Sequence, residues 1–446
     1  MSYGGKNMTN IKSELLDKIK NKSAVVGIVG LGYVGLPLAV EFAKAGYRTI
    51  GFDVQEKKVK SVNEGRNYIG DIVGDTLKDL VKKNRFSATS DFAFIKKVDA
   101  VCICVPTPLD QYQQPDISYV KGSTESVAKF AHRGMVIILE STTYPGTTEE
   151  LLKPILEAGG LKCGEDFYLA FSPERVDPGN KQYKTKNTPK VVGGIGKDST
   201  EVAATLYRSV LAGGVYEVSS PAVAEMEKLL ENTYRNINIG LANEMAILCH
   251  RMGINIWEVI DAAKTKPYGF QAFYPGPGLG GHCIPLDPFY LDWKAKEYNY
   301  HTRLIETSGE INTAMPEYVV QRAATVLNRD KKSINDAKVL VLGVAYKADI
   351  DDYRESPALS VIDILIKQGA NTTFYDPFIP EYRFKGKVHT GAKELTDDML
   401  RESDIVIICT AHSSFDYNRI QKLSQEVFDT RNAMKDVKDR SNIELL

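Results

Sequence analysis

The sequence predicts an α/β fold of two doubly wound parallel-sheet domains joined by a long central helix in an all-α domain. Three observations predict it. Short apolar runs alternate with helical spacing from Ala24 to Glu157, a long helical run interrupts the alternation from Ser220, and the alternation restarts at Lys338. Strands that alternate with helices need crossover connections, hence a parallel sheet with helices on both faces.

Residues 1–21 are polar and Lys/Asn-rich, with Leu15, Leu16 and Ile19 at helical spacing, and read as a helical lead-in. AVVGIVG, from Ala24 to Gly30, is an apolar run bounded by glycine, and helical spacing follows from Leu36 to Ala45, so the pair reads as strand, tight turn, helix. A strand from Arg48 to Asp53 comes next, then a helix near Lys57 to Asn63, a strand from Ala100 to Val105, a helix near Val120 to Ala131, a strand from Met135 to Glu140 and a helix near Thr147 to Glu157. Ser220-Pro221 opens a long helix to about His250, with Ser as N-cap and Pro in the first turn. More helical sequence runs from Ile256 to Ala263. Tyr268 to Pro288 is a Gly/Pro-rich loop carrying Gly276, Gly278, Gly280 and Gly281, and loops of that length are usually functional or disordered. Helical spacing resumes from Tyr290 to about Leu327, the polar stretch from Asn328 to Asp336 reads as a linker, and KVLVLG from Lys338 starts a second α/β pattern. That pattern continues with a helix around Ala358 to Gln368 and strands from Asn371 to Asp376 and from Ile405 to Thr410, while the last twenty residues carry no clear signal. The expected domains are 1–219, 220–330 and 331–446.

At 446 residues the chain is about three times the roughly 150 that one domain takes. Hydrophobic residues at 43% and charged residues at 25% exclude a disordered or fibrous chain. The 56 Lys+Arg against 57 Asp+Glu leave a net charge of -1, which excludes a broad basic nucleic-acid face and leaves room only for a local basic pocket. Six scattered cysteines without CxxC or metal-like spacing, no secretory signal and no long apolar run point to a reducing cytoplasm, no metal and no membrane span.

Gly30-Leu31-Gly32-Tyr33-Val34-Gly35 lies at the first strand-to-helix turn, and Asp53 closes the next strand. A dinucleotide site needs glycines for the turn, for approach of backbone N–H groups to pyrophosphate and for helix packing, and an acid for the ribose hydroxyls. Asp53 selects NAD, since a carboxylate there repels a 2′-phosphate. Lys58, five residues on, is either a further cofactor contact or a solvated helix residue. The first domain is therefore Rossmann-like, and so is the last by its pattern.

PGPGLGGHCIPLD, from Pro275 to Asp287, holds Cys283 in a glycine-lined loop with a carboxylate four residues later. Glycines let a substrate reach the sulfur, and covalent catalysis wants an accessible thiol; the alternative is a structural cysteine. His282 is read as shaping the loop or touching substrate, because sequence neighbours seldom point at each other. On the long helix, Glu225, Lys228, Glu231 and Asn232 include a cation and an amide four apart on one face. Such a pair can stabilise an oxyanion, although by itself it is ordinarily a solvated face. After the Gly343 turn, which lacks the second and third glycines of a dinucleotide site, Lys347 and Arg354 either grip phosphates or pair with nearby acids.

GLGYVGLP (Gly30 to Pro37), CVPTP (Cys104 to Pro108), ESTTYPGTT (Glu140 to Thr148), SPER (Ser172 to Arg175), KLLENTYR (Lys228 to Arg235), PGPGLGGHC and YKADIDDYRESP (Tyr346 to Pro357) occur in one order. That set resembles the UDP-glucose/GDP-mannose dehydrogenase family of nucleotide-sugar 6-dehydrogenases, from Ala24 to about Arg431. The stretch from Lys266 to Leu291 is similar to the branch that acts on UDP-N-acetylhexosamines, UDP-N-acetylglucosamine first, in surface-polysaccharide synthesis. The resemblance implies NAD in the first domain, a UDP-sugar in the last, and a homodimer or higher oligomer formed through the central helix. It implies oxidation of a C6 alcohol to an aldehyde, capture by Cys283 as a thiohemiacetal, a second oxidation to a thioester, and hydrolysis to the uronate.

By the same resemblance Lys228 and Asn232 stabilise oxyanions, Asp287 and Glu174 assist proton transfer and hydrolysis, and Thr142 positions water or cofactor. Pro106, Thr107, Thr142 and Arg354 join the cofactor contacts. Glu174, Arg175, Val176, Lys228, Asn232, Tyr274, Gly280 and Lys347 line the sugar-nucleotide site. Two departures stand out. Pro267 occupies the place of an Arg that reaches across the dimer in the glucose enzymes, leaving Lys266 or the Phe270 to Tyr274 segment to replace it. Arg175-Val176 stands where the glucose branch is apolar, and reshapes the pocket around an acetamido group. A two-electron hydroxyacid dehydrogenase shares the first domain and the Lys/Asn pair but needs neither Cys nor third domain, and a nucleotide-sugar sensor would bind without reducing NAD. Epimer choice rests on pocket shape at about one hydroxyl.

Overall fold

The computed structural model describes residues 5–69, 72, 75–110, 112–177, 180, 182–281 and 283–446, with side chains described from residue 11 onward. The chain divides into two compact units, Met1–Glu231 with Trp293–Tyr298, and Asn232–Asp292 with Asn299–Leu446.

Among the described residues the first unit holds strands β1 (Val25–Val29), β2 (Arg48–Phe52), β3 (Phe86–Thr89), β4 (Ala100–Ile103), β5 (Val136–Leu139), β6 (Tyr168–Phe171), β7 (Lys190–Gly194) and β8 (Val215–Val218). They form one sheet in the order β3-β2-β1-β4-β5-β6-β7-β8. Chain order reverses at β1, with Ile28 opposite Gly51 of β2 on one side and Cys102 of β4 on the other, so the crevice at the carboxyl ends of β1 and β4 is the switch point where such sheets take ligands. Alternation sorts the strand residues into two cores. Ala100, Cys102, Val136 and Ile138 belong to one, and Val101, Ile103, Ile137 and Leu139 to the other. Both faces are buried, which is why these strands read as continuous apolar runs.

Helices α1 (Gly5–Lys20), α2 (Gly35–Lys44), α3 (Glu56–Asn63), α4 (Thr76–Lys82), α5 (Ser118–Ala128), α6 (Lys153–Glu157) and α7 (Gly196–Arg208) belong to this unit. Two expectations need correction. The sheet is not wholly parallel: β7 runs antiparallel to β6, pairing Phe171 with Gly193. The described residues between Phe171 and Lys190 contain no helix that could serve as a crossover, in keeping with the antiparallel return. The helix expected from Thr147 is a π-helical turn, Thr148–Leu152, that tightens into α6 only at Lys153. Elements α4, β3, β6, β7, α7 and β8 have no counterpart among the expected ones; the strands, of four or five residues, carry little periodicity.

Helix α8 (Pro221–Met252) opens under Ser220, whose Oγ accepts the Val223 N–H at 3.4 Å, and stops at Gly253, whose φ is +70°. At 32 residues it is about 48 Å long. The boundary between units falls inside α8 and again inside α10 (Asp287–Ala295). The second unit continues with α9 (Ile256–Ala263) and α11 (Arg303–Arg329). The expected unbroken helix from Tyr290 is interrupted: α10 ends at Ala295, a 3-10 turn covers Lys296–Tyr298, and Asn299, at φ +52°, breaks the run before α11.

Strands β9 (Lys338–Leu342), β10 (Asn371–Tyr375), β13 (Ile405–Ile408), β14 (Val427–Asp429) and β15 (Ile443–Leu445) form a parallel sheet in the order β10-β9-β13-β14-β15, beside a hairpin of β11 (Glu381–Phe384) and β12 (Lys387–Thr390). Helices α12 (Pro357–Lys367), α13 (Asp397–Glu402) and α14 (Tyr417–Leu423) accompany them. The unplaced last twenty residues thus contain two strands of the sheet. The expected linker begins inside α11 and ends in a tight connection with buried Ile334.

Candidate active site

The glycine turn is built by steric necessity. Gly30 has φ +93°, and a Cβ there would strike the Cys104 carbonyl; a Cβ at Gly35 would strike the Gly30 carbonyl. At Gly32 a Cβ would meet only open space, so the backbone is bared on the side where a ligand can approach. Val34, before the first turn of α2, offers no side-chain cap; Leu36 and Leu38 donate to the Gly32 and Val34 carbonyls at 3.1 and 3.2 Å and Pro37 has no N–H, so the Gly35 N–H is the first-turn donor that can meet an anion. Asp53, 6% exposed, accepts the Leu31 N–H and the Lys58 ammonium on Oδ2 at 2.9 and 3.3 Å, and the Gln55 N–H on Oδ1 at 2.9 Å. Lys58 is therefore an ion-pair partner of Asp53, which its sequence position alone left open.

Tyr68, which sequence reading did not single out, donates to the Leu31 carbonyl at 2.8 Å and braces the turn. Tyr33 is exposed. On the far side of the switch point, the Val105 N–H donates to Ser141 Oγ at 2.9 Å and Ser141 Oγ donates back to the Val105 carbonyl at 2.8 Å, so Pro106 and Thr107 are fixed beside Thr142. Thr143, buried, has a hydroxyl without a hydrogen-bond partner among the described residues, a feature invisible beside Thr142 in sequence. Glu225 accepts the Gly146 and Thr148 N–H groups at 2.6 and 2.9 Å and holds this segment to α8. These residues fit a dinucleotide: an open glycine backbone, a helix start without a side-chain cap and a buried carboxylate with one lone-pair site to spare.

The SPER loop belongs to the same unit. Glu174 Oε1 accepts the N–H groups of Arg175 and Val176 at 2.7 and 2.8 Å. The Arg175 guanidinium lies on Glu231 and, at 3.5 Å, on Glu227, and donates to the Pro189 carbonyl at 3.1 Å. Its side chain is thus an anchor of the loop to α8. Lys228 is buried one helical turn before Asn232.

In the second unit a row of buried polar residues on α8 carries the cysteine loop. Asn232 Nδ2 donates to Asp287 Oδ2 at 2.6 Å, Asn236 Nδ2 to the Ile284 carbonyl at 3.0 Å, and Asn243 Oδ1 accepts the Gly276 N–H at 2.9 Å. Asn312 of α11 donates to the Asn236 carbonyl at 3.1 Å and accepts from Asn243 at 2.9 Å. Asn236, Asn243 and Asn312 were missed, although asparagines four and eleven residues after Asn232 on one helix share its face and were a readable signal. Cys283 is half-buried, and its carbonyl accepts the Leu286 and Asp287 N–H groups at 3.1 and 2.9 Å, seating it at the start of α10, where the helix field favours negative charge. His282 lies outside the described residues.

Gly280 packs on Tyr346, the neighbour of Lys347, and the Gly281 N–H donates to the Arg354 carbonyl at 3.2 Å, so the cysteine loop and the Lys347 to Arg354 segment come together. Arg354 is held bidentate by Asp352, at 3.0 and 2.6 Å. Tyr274 stacks on Trp257 and donates to Asp261 at 3.1 Å, and Lys266 lies 5.2 Å from the Tyr268 ring centre. Arg431, also missed, touches Gly276 of the cysteine loop; its Nε donates to the Cys409 carbonyl at 2.9 Å, and no carboxylate among the described residues pairs with its guanidinium.

A dinucleotide crevice with a buried ribose acid, followed by a long helix, a cysteine loop and a second α/β sheet, defines an NAD-dependent dehydrogenase of nucleotide sugars. Residues 24–211 match the NAD binding domain of the UDP-glucose/GDP-mannose dehydrogenase family, residues 222–314 its central domain and residues 340–436 its UDP binding domain. The chain belongs to that family and is an NAD-dependent UDP-sugar dehydrogenase. It is 35% identical over 397 residues to UDP-N-acetyl-D-glucosamine 6-dehydrogenase of Pseudomonas aeruginosa, covering 88% of this chain and 92% of that one. It is 34% identical over 417 residues to UDP-N-acetyl-D-mannosamine dehydrogenase of Pyrococcus horikoshii, covering 92% and 96%. The solved structure of the P. horikoshii UDP-D-ManNAc dehydrogenase superposes with a TM-score of 0.86 at 33% identity, covering 94% of this chain and 98% of that one. No helix among the described residues is long and apolar enough to cross a membrane.

Proposed function

We propose that the chain oxidises the C6 hydroxyl of a UDP-N-acetylhexosamine, UDP-N-acetylglucosamine first, to the uronate in a four-electron reaction that consumes two NAD and one water, for surface-polysaccharide synthesis. The observation that carries this reading is Cys283, set at the start of α10 in a loop that α8 anchors through Asn232–Asp287, Asn236 and Asn243. A two-electron dehydrogenase has no use for a thiol so placed. The domain division proposed is 1–219 for NAD, 220–330 for the central helices and 331–446 for UDP, and the setting is the cytoplasm.

NAD, when bound, accepts a hydride at each of the two oxidations. Gly30, Leu31, Gly32, Tyr33, Val34, Gly35 and Asp53 would hold it, with Pro106, Thr107, Thr142 and Arg354 as further contacts. Cys283 attacks the C6 aldehyde as thiolate, forming a C–S bond and a thiohemiacetal alkoxide, which Lys228 and Asn232 stabilise. The Asp287 carboxylate fixes the Asn232 amide through one N–H and leaves the other for that oxyanion. After the second oxidation the carbonyl is a thioester; water attacks it, the C–S bond breaks, Cys283 leaves as thiolate, and Glu174 takes a proton from the water. Lys347 and Arg431 are proposed as cations for the diphosphate, with Tyr274, Gly280, Arg175 and Val176 shaping the site.

Homodimerisation is proposed through α8. Val223, Met226, Leu230, Tyr234, Leu241, Leu248 and Met252 recur at steps of three, four or seven residues, and all are exposed. An apolar stripe of that length on one helix face calls for a partner.

The test is stoichiometry. Purified protein given UDP-GlcNAc, UDP-ManNAc, UDP-GalNAc or UDP-glucose should yield two NADH per sugar, fastest with UDP-GlcNAc; one NADH per sugar would refute the thioester route.

A further inference from the structure

Behind the SPER loop lies a buried charge cluster that the reaction scheme above leaves unused. Lys190, at the start of β7, is 4% exposed and Glu140, at the end of β5, 1%. The Lys190 ammonium pairs with Glu140, donates to the Pro173 carbonyl at 3.1 Å and stands 3.9 Å from Glu174 Oε2. Tyr207 of α7 donates its hydroxyl to the other Glu140 oxygen, and Cys102 Sγ lies 3.7 Å from that hydroxyl.

Burying a lysine and a glutamate in a sheet core is costly, and replacing such a pair by apolar residues is often neutral or stabilising. Stability alone is therefore a weak reason for it. Burial disfavours the ammonium, but Glu140 and then Glu174 outweigh that and hold the Lys190 pKa above the usual lysine value. Of its two carboxylates, Glu140 is sealed in the core; Glu174 is on the site loop, with one oxygen tied down by the Arg175 and Val176 N–H groups and the other turned to Lys190.

We propose that Lys190 is a positioning residue that holds Pro173 and Glu174 in the geometry required for thioester hydrolysis, with Glu140 and Tyr207 as its buried counterweight. This rests on the roles proposed above for Glu174 and Cys283. Lys190 reaches the loop from within the sheet; Arg175 ties its other flank to α8. A loop pinned on both sides keeps one carboxylate oxygen in place, and misplacing a group by about 1 Å can cost roughly a hundredfold in rate.

Lys190→Met alone would strand the Glu140 charge and endanger folding, so the decisive variant is Glu140→Gln/Lys190→Met, which removes both charges at similar volume. It should fold, bind NAD and UDP with unchanged affinity, and lose about tenfold to a hundredfold in kcat. It should also accumulate a sugar thioester on Cys283, visible by intact mass after acid quench, while Lys190→Arg restores turnover. Wild-type kcat with no adduct in the double variant overturns the proposal. Glu174→Gln separates the two readings: if it too turns over normally, the role of Glu174 falls, whereas slow hydrolysis in Glu174→Gln with a normal double variant overturns Lys190 alone.

Discussion

A carboxylate closes the second strand of each sheet, Asp53 after β2 and Asp376 after β10, and their surroundings decide their use. Asp53 takes three partners. Asp376 takes the N–H groups of Val344, Ala345, Phe378 and Ile379 and the His412 ring, at 2.7 to 3.1 Å. A carboxylate has about four lone-pair sites, so Asp376 is saturated by its turn and His412, while Asp53 has one site left for a ribose hydroxyl. Asp53→Asn should weaken NAD binding by about 1.5–3 kcal/mol, the worth of hydrogen bonds to a charged group, and relax discrimination against NADP, measured by cofactor titration. Asp376→Asn should lower thermal stability and leave NAD affinity intact. Glu227 offers a pH signature. Burial, then its hydrogen bond to Glu231, pushes its pKa up to about 7. The folded chain thus keeps a proton that the unfolded chain releases near the usual carboxylate pKa, and this group's contribution falls as pH rises from about 4.5 to 7. Glu227→Gln should accordingly raise the melting temperature at pH 8 more than at pH 5.

At the scale of elements, α8 is two-faced. The face with Asn232, Asn236 and Asn243 holds the cysteine loop by hydrogen bonds, and Gly240, between them, lets Ser308 of α11 approach. Asn236→Ala would leave the Ile284 carbonyl unpaired one residue after Cys283. The expected cost is about 1–3 kcal/mol in stability and a fall in kcat larger than any change in UDP-sugar affinity, read by steady-state kinetics beside calorimetric binding. The spacing of these asparagines was legible in the sequence. Their partners were not, because Ile284 and Asn312 lie 48 and 76 residues away. The antiparallel turn-back of β7 on β6 was hidden likewise, since a strand's direction depends on the loop before it and not on its own residues.

For the whole molecule, the stripe on the opposite face of α8 is the feature to test. Leu230→Glu/Leu241→Glu should convert a dimer to monomers in light scattering while far-UV circular dichroism stays unchanged; a double variant that remains dimeric would place the interface elsewhere. The sequence by itself determined what is written in local periodicity and local chemistry: the glycine turn with Asp53, the long helix, the cysteine loop and the restart of the α/β pattern. Those signals survive because neighbours in the chain set them. Only the tertiary structure decided that Lys58 pairs with Asp53, that Asp376 is saturated, that Arg175 anchors a loop, that Arg431 reaches the cysteine loop and that Lys190 stands between Glu140 and Glu174. Each of these is an electrostatic or hydrogen-bonding choice among several partners, made through space by burial and distance, and most of them join residues far apart along the chain.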